Sequence, residues 1–199
     1  EELSPRFEDT GEGYSVVYKG KRLYSDREPV KAVLKKLNNL SLMPNTLVFI
    51  PSPLLLYGIK ELLAMLPEKS HLLCIEQDEE LMAASLPYLD PELLNDPRLT
   101  LLRTSGPDKP AAFLENLGTH NFRRALYLPL SGGYRLNPSL YSDMFRRIEQ
   151  YIREFWKNRM TLIHMTRLWM GNLFSNLPEL SISRPLKDLS FTKPVFLAG

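Results

Sequence analysis

Between Thr46 and Gly133 short apolar runs alternate with amphipathic stretches, and few architectures accommodate that alternation. Leu47-Val-Phe-Ile50, His71-Leu-Leu-Cys-Ile75, Leu99-Thr-Leu-Leu102 and Ala125-Leu-Tyr-Leu128 have the length and composition of buried strands. Between them, residues 57–65, 79–86 and 111–117 read as helices; Ile59, Leu62, Leu63 and Leu66 recur at helical spacing. A strand that returns through a helix to the same sheet runs parallel to its predecessor, because a tight hairpin is not available to it. The pattern therefore predicts an α/β fold with an open, mainly parallel, Rossmann-like sheet over residues 46–135.

The flanks follow other rules. In residues 1–45, Tyr14-Ser-Val-Val-Tyr18 and Arg22-Leu-Tyr24 favour strands, and Lys19-Gly20-Lys21 supplies the turn of an N-terminal β-hairpin. Ser25 or Asp26 is placed to cap a helix that opens at Pro29 and buries Val30, Val33, Leu34 and Leu37. Residues 136–188 read as a C-terminal helical extension. Asn137 caps and Pro138 opens a helix with Tyr141, Met144, Ile148, Tyr151, Ile152 and Phe155 on one stripe. This helix is expected to yield near Asn158, and a second to run from about residue 161 to 175. Residues 189–199 read as the first strand of a following domain.

Composition excludes several function classes. One cysteine, Cys74, rules out an internal disulfide or a multi-cysteine metal site, and it reads as a small buried hydrophobe. His71, His120 and His164 stand far apart and in no ligand spacing, so no metal site is expected. The apolar runs fall short of the roughly 20 residues that span a bilayer, and the first residues carry no signal-peptide pattern. A cytoplasmic chain without membrane contact is expected. Residues 46–120 hold 5 basic and 11 acidic groups, whereas 121–199 hold 12 and 5. The acidic middle block argues against a nucleic-acid groove along the chain.

Ligands of open α/β sheets bind beyond the carboxyl ends of the strands. Ser52, Tyr57, Glu76, Ser105 and Gly132 stand at or near those ends and are the candidate crevice residues. Glu76 occupies the place where nucleotide- and adenosylmethionine-binding proteins put a ribose-binding carboxylate. Asp96-Pro-Arg-Leu-Thr-Leu-Leu-Arg103 resembles the third-strand region of spermidine-synthase-like methyltransferases. The first strand-to-helix turn opposes that reading: Pro51-Ser-Pro-Leu-Leu-Leu-Tyr57 has no glycine before Gly58, and its prolines lack the N–H groups that cradle an anion. No nucleophile elbow or Walker loop is present in the sequence, so no catalytic residue is assigned and no cofactor is expected for these residues. On the last helix Trp169, Asn172 and Asn176 share a face that suits either a polar ligand or helix–helix hydrogen bonds.

Several segments, in order, resemble the motility accessory factor family of flagellin glycosyltransferases, which includes proteins similar to 6-hydroxymethylpterin diphosphokinase. Leu23-Tyr-Ser-Asp-Arg-Glu-Pro29 is similar to the family's Leu-His-Ser-x-x-x-Pro, and Ile75-Glu-Gln-Asp78 to its Ile-Glu-Pro-Asp. Residues 47–57 occupy the place of its strand and Gly-x-Gly-x-Gly-Tyr turn; aligned on Tyr57, the three glycines fall at Ser52, Leu54 and Leu56. Thr161, Trp169, Asn172 and Asn176 follow its Thr…Trp-x-x-Asn-x-x-x-Asn helix. Residues 189–199 look like the strand leading into its Gly-x-Gly-Pro-Ser-Leu loop.

The resemblance implies a non-catalytic amino-terminal domain. A downstream catalytic domain would transfer a nonulosonic acid from its CMP-activated form to flagellin, which would be the acceptor partner. The alternatives are an adenosylmethionine- or nucleotide-binding methyltransferase-like domain and a protein-interaction module.

Overall fold

A computed structural model describes residues 4–182. The first element is β1 (Arg6–Asp9), which pairs antiparallel with β2 (Tyr14–Tyr18); β2 pairs in turn with the short β3 (Lys21–Arg22). The expected hairpin is therefore a three-stranded sheet. β1 escaped notice because Arg-Phe-Glu-Asp shows almost no apolar alternation; Phe7 stacks on Tyr88, with ring centroids 4.6 Å apart. One face of the sheet is buried through Val16 and Tyr18.

Helix α1 (Pro29–Leu37) follows, burying Pro29, Val33 and Leu37. Neither Ser25 nor Asp26 caps it. The N-cap position belongs to Glu28, which makes no side-chain cap bond and sits at φ −130°, ψ 67°. Pro29 explains this, because a proline drives the preceding residue out of the helical region and fixes the first helical turn itself.

The central sheet contains β4 (Thr46–Pro51), β5 (His71–Glu76), β6 (Leu99–Arg103) and β7 (Arg124–Tyr127), in the spatial order β6-β5-β4-β7 and all parallel. The chain crosses between strands through α2 (Ile59–Met65), α3 (Glu79–Ser85) with α4 (Pro91–Leu94), and α5 (Lys109–Leu117). Every residue of β4 and β5 is buried, which is why both read as unbroken apolar runs. Alternate side chains enter opposite cores. Val48, Ile50, Leu72 and Cys74 join α1, α2 and α3 in one core, while Leu47, Phe49, Leu73 and Ile75 meet Ala111, Leu114, Tyr141, Met144 and Ile148 in the other.

Helix α6 runs without interruption over Pro138–Ile182. Asn137 accepts the Leu140 N–H at 3.4 Å, as expected of its cap. The break expected near Asn158 is absent. Residues 156–161 contain neither glycine nor proline, and Thr161 and Thr166 satisfy their hydroxyls on the carbonyls of Lys157 (3.0 Å) and Leu162 (2.8 Å) inside the helix. By their internal contacts the residues fall into two compact units, Glu1–Trp156 and Lys157–Gly199. The first contains both sheets and the turns of α6 that bury Tyr141, Met144, Ile148 and Ile152. In the second, the described side chains of α6 are almost all exposed, Met160, Trp169 and Phe174 among them. The expected strand at 189–199 lies outside the described residues.

Candidate functional site

The order of the parallel strands reverses between β4 and β7, and a Rossmann-like sheet opens its crevice at such a point. Two turns meet there: residues 52–58 after β4 and residues 128–133 after β7. Glu76 ends the neighbouring strand β5. These segments fill the space between them with their own side chains.

Glu76 is 2% exposed and receives four hydrogen bonds from its own chain. The Ser52 hydroxyl donates to Oε2 at 2.7 Å. The Tyr141 hydroxyl and the backbone N–H groups of Gln77 and Asp78 donate to Oε1 at 3.1, 2.9 and 3.0 Å. Burial pushes the carboxyl pKa up, and these donors work against the shift by favouring the charged form. The carboxylate thus ties β4, β5 and α6 together and presents no exposed acceptor to a ribose diol. Next to it, the space among Pro53, Leu54, Leu81, Met82 and Ser85 has a volume of about 0 Å³, too little for a water molecule.

The β7 turn closes the other side. Ser131 donates its hydroxyl to the Ser52 carbonyl at 2.6 Å and accepts the Gly133 N–H at 2.9 Å. Gly133 lies so close to Ser52 that a Cβ built on it would come within 2.0 Å of the serine Oγ. Gly132 donates its N–H to the Leu23 carbonyl at 2.6 Å, fastening the turn to the segment after β3.

The turn after β4 has an unusual backbone. Ser52, Leu54 and Leu56 have φ of 46°, 49° and 56°, and Gly58 follows at 79°. Three non-glycine residues thus occupy the left-handed region, which costs an L-residue about 1–2 kcal/mol. Leu54 and Leu56 are buried, so core packing holds the conformation that glycine would adopt freely.

The remaining candidates are dispersed. Tyr57 lies against the three-stranded sheet, where its hydroxyl accepts the Tyr14 N–H at 2.7 Å and its ring tilts on Tyr24. Ser105 is exposed in the turn after β6. Trp169, Asn172 and Asn176 are exposed on α6, in the other compact unit. The structure brings Ser52 and Glu76 together, places Gly132 in the turn that closes on Ser52, and adds three participants that were not among the candidate residues: Ser131, Gly133 and Tyr141. Tyr141 stood in the apolar stripe of its helix, and only its hydroxyl, buried with the ring, signalled a polar partner.

Asp78 completes the neighbourhood. It caps α3 by accepting the N–H groups of Glu80 (3.1 Å) and Leu81 (3.2 Å), and it pairs with Lys19 at 2.9 Å. Burial opposes ionisation, but the Lys19 ammonium and the Leu81 amide hold its carboxyl below the ordinary carboxylate range. Among the described residues no helix is long and apolar enough to cross a membrane.

Fold and site together define a Rossmann-like α/β module whose switch-point crevice is occupied by its own side chains. No family model matches the chain. It is similar to an uncharacterized protein of Treponema pallidum (strain Nichols), 31% identical over 201 residues, an alignment that takes in 99% of this chain and 35% of that protein. The chain thus spans well under half the length of the relative it matches.

Proposed function

We propose that these residues form a non-catalytic accessory module of a larger cytoplasmic protein of the motility accessory factor type. In that protein the module would position a separate catalytic domain, or the flagellin acceptor, while a nonulosonic acid is transferred from its CMP-activated form. The observation that carries the non-catalytic part is the closed crevice: Glu76 is occupied by Ser52, Tyr141 and two backbone amides, and Gly133 seals against Ser52. The family resemblance draws support from the turn after β4. The three positions aligned with the family's glycines, Ser52, Leu54 and Leu56, all have the left-handed backbone that glycines would supply.

Calorimetry with S-adenosylmethionine tests the reading against its enzymatic rival. No binding is expected; micromolar binding abolished by Glu76→Ala would overturn it. A pure interaction module is the other reading, and the large apolar side chains exposed on α6 favour a surface that meets protein. Retention of flagellin by residues 1–199 alone supports that alternative, whereas retention only by a longer protein supports the positioning role.

A further inference from the structure

A second cavity, of about 530 Å³, opens between the β7 turn, α1 and the segment after β3. Its walls include Arg22, Tyr24, Pro29, Lys36, Tyr134 and Arg135. Three of these are cations, and among the described residues no carboxylate lines the cavity. Arg22 is neutralised by Glu8 at 2.7 Å. Lys36 and Arg135 are not: among the described residues neither forms an ion pair.

Backbone carbonyls hold both of them in place. The Lys36 ammonium donates to the Pro129 and Leu130 carbonyls at 3.1 and 3.2 Å. Arg135 donates from Nη2 to the Arg22 carbonyl at 2.9 Å and from Nε to the Gly132 carbonyl at 3.3 Å. Carbonyls orient these cations without cancelling their charge, and neither side chain exhausts its donors. Gly132 is what lets Arg135 lie against the turn, since a Cβ there would meet Nη2 at 2.3 Å. Partial burial, with the Arg135 charge adding to it, lowers the Lys36 ammonium below its ordinary value, as expected of two like charges facing one space.

We infer that this cavity binds the phosphate of a small phosphorylated organic molecule, gripped between Lys36 and Arg135. Two uncompensated positive charges match a phosphate monoester, which carries about −1.5 to −2 at neutral pH. The space is too large for a bare phosphate and falls within the roughly 300–1,000 Å³ of small-molecule sites. Tyr24, Pro29 and Tyr134 offer apolar wall to the organic part. The site is separate from Glu76, so the inference stands or falls independently of the accessory reading above.

Titration calorimetry of the 199-residue chain with ribose 5-phosphate, inorganic phosphate and malate tests it. Ribose 5-phosphate is expected to bind saturably, more tightly than inorganic phosphate, and at least about ten-fold more tightly than the dicarboxylate malate. Lys36→Gln and Arg135→Gln are each expected to weaken it about 10- to 100-fold, the loss of a charge-assisted contact. Gly132→Ala is expected to weaken it too, by displacing Arg135 with every charge kept. A measurement on the unaltered chain covers the case in which a variant fails to fold: ribose 5-phosphate should slow phenylglyoxal modification of Arg135, read by peptide mass spectrometry. Absence of saturable binding, malate binding as tight as the phosphate, or unchanged affinity in folded Lys36→Gln and Arg135→Gln proteins would each overturn the inference, as would Arg135 modification that the ligand leaves unchanged.

Discussion

Glu76 is worth more to this fold than its place at a strand end suggests. Replacing it with alanine leaves the Gln77 and Asp78 amides and the Ser52 and Tyr141 hydroxyls without their acceptor, in a site closed to water. Buried donors stripped of a charged acceptor cost several kcal/mol, so Glu76→Ala should destabilise by about 3–5 kcal/mol in urea unfolding. Glu76→Gln should cost about 1 kcal/mol, because Oε1 keeps its three donors and the Ser52 hydroxyl can turn to accept from the new amide. Equal losses in the two variants would contradict the hydrogen-bond account. His71 carries a different residue-scale prediction. Burial lowers its pKa from 6.5 to about 4, and its Nε2 lies 2.8 Å from Thr100 Oγ1. The unfolded chain therefore binds the proton first, and stability is lost as pH falls from about 6.5 to about 4. The full loss should amount to about 3 kcal/mol. Glu76 acts in the opposite sense, since a raised carboxyl pKa loses stability as pH rises through it. Comparing the pH dependence of unfolding in the native protein and His71→Gln isolates the histidine: the acid-side slope should flatten in the variant.

At the level of elements, the crevice is shut by two turns that fit only as a pair. Gly133 is required because Ser52 stands where its Cβ would go, 2.0 Å from the serine oxygen and 2.8 Å from its Cβ. Gly133→Ala should cost about 1–3 kcal/mol through overpacking. Ser52→Gly in the same chain should remove both the clash and the left-handed strain at φ 46° while giving up the hydrogen bond to Glu76, so the double variant should lose clearly less than the two single losses summed. A double-mutant cycle by thermal unfolding reads this coupling directly, and additive effects would show that the turns do not touch as described. The same pair marks how far the sequence could be read. The order of strands and helices was legible, because β4 and β5 are buried on both faces and their apolar runs have no other explanation. The absence of glycine after β4 was legible as well, and it pointed away from a phosphate cradle. What could not be read was that the turn keeps a glycine-like backbone without glycine. Nothing in Ser52, Leu54 or Leu56 favours positive φ; tertiary packing imposes it. Tyr141 was hidden for a related reason, since its ring satisfied the helical apolar pattern while its hydroxyl served a residue 65 positions earlier in the chain. β1 was missed because pairing with its one antiparallel neighbour, β2, and not its own composition, makes it a strand.

For the molecule as a whole, α6 is one helix that serves two compact units. Its first turns bury Tyr141, Met144, Ile148 and Ile152 in the core beneath the sheet. Beyond Trp156 its large apolar residues are no longer covered: Met160, Leu162, Ile163, Leu168, Trp169 and Met170 are all exposed. An apolar helix face is normally covered, and a helix's own propensity supplies little stability in water. Two consequences follow. Stability of the first unit should not depend on the second, so residues 1–156 should fold with a melting temperature within about 2–4 °C of the longer chain, the shift expected for about 1 kcal/mol. A larger drop would mean that the second unit contributes to the first core. Conversely, the apolar residues of the second unit should matter for association and not for folding. The exposed apolar surface predicts that the 199-residue chain self-associates as its concentration rises, measured by sedimentation, and that Trp169→Glu with Leu173→Glu abolishes this while leaving the melting temperature within the same range. If the doubly substituted chain associates as before, the apolar surface of α6 is not what the molecule uses to meet its partners.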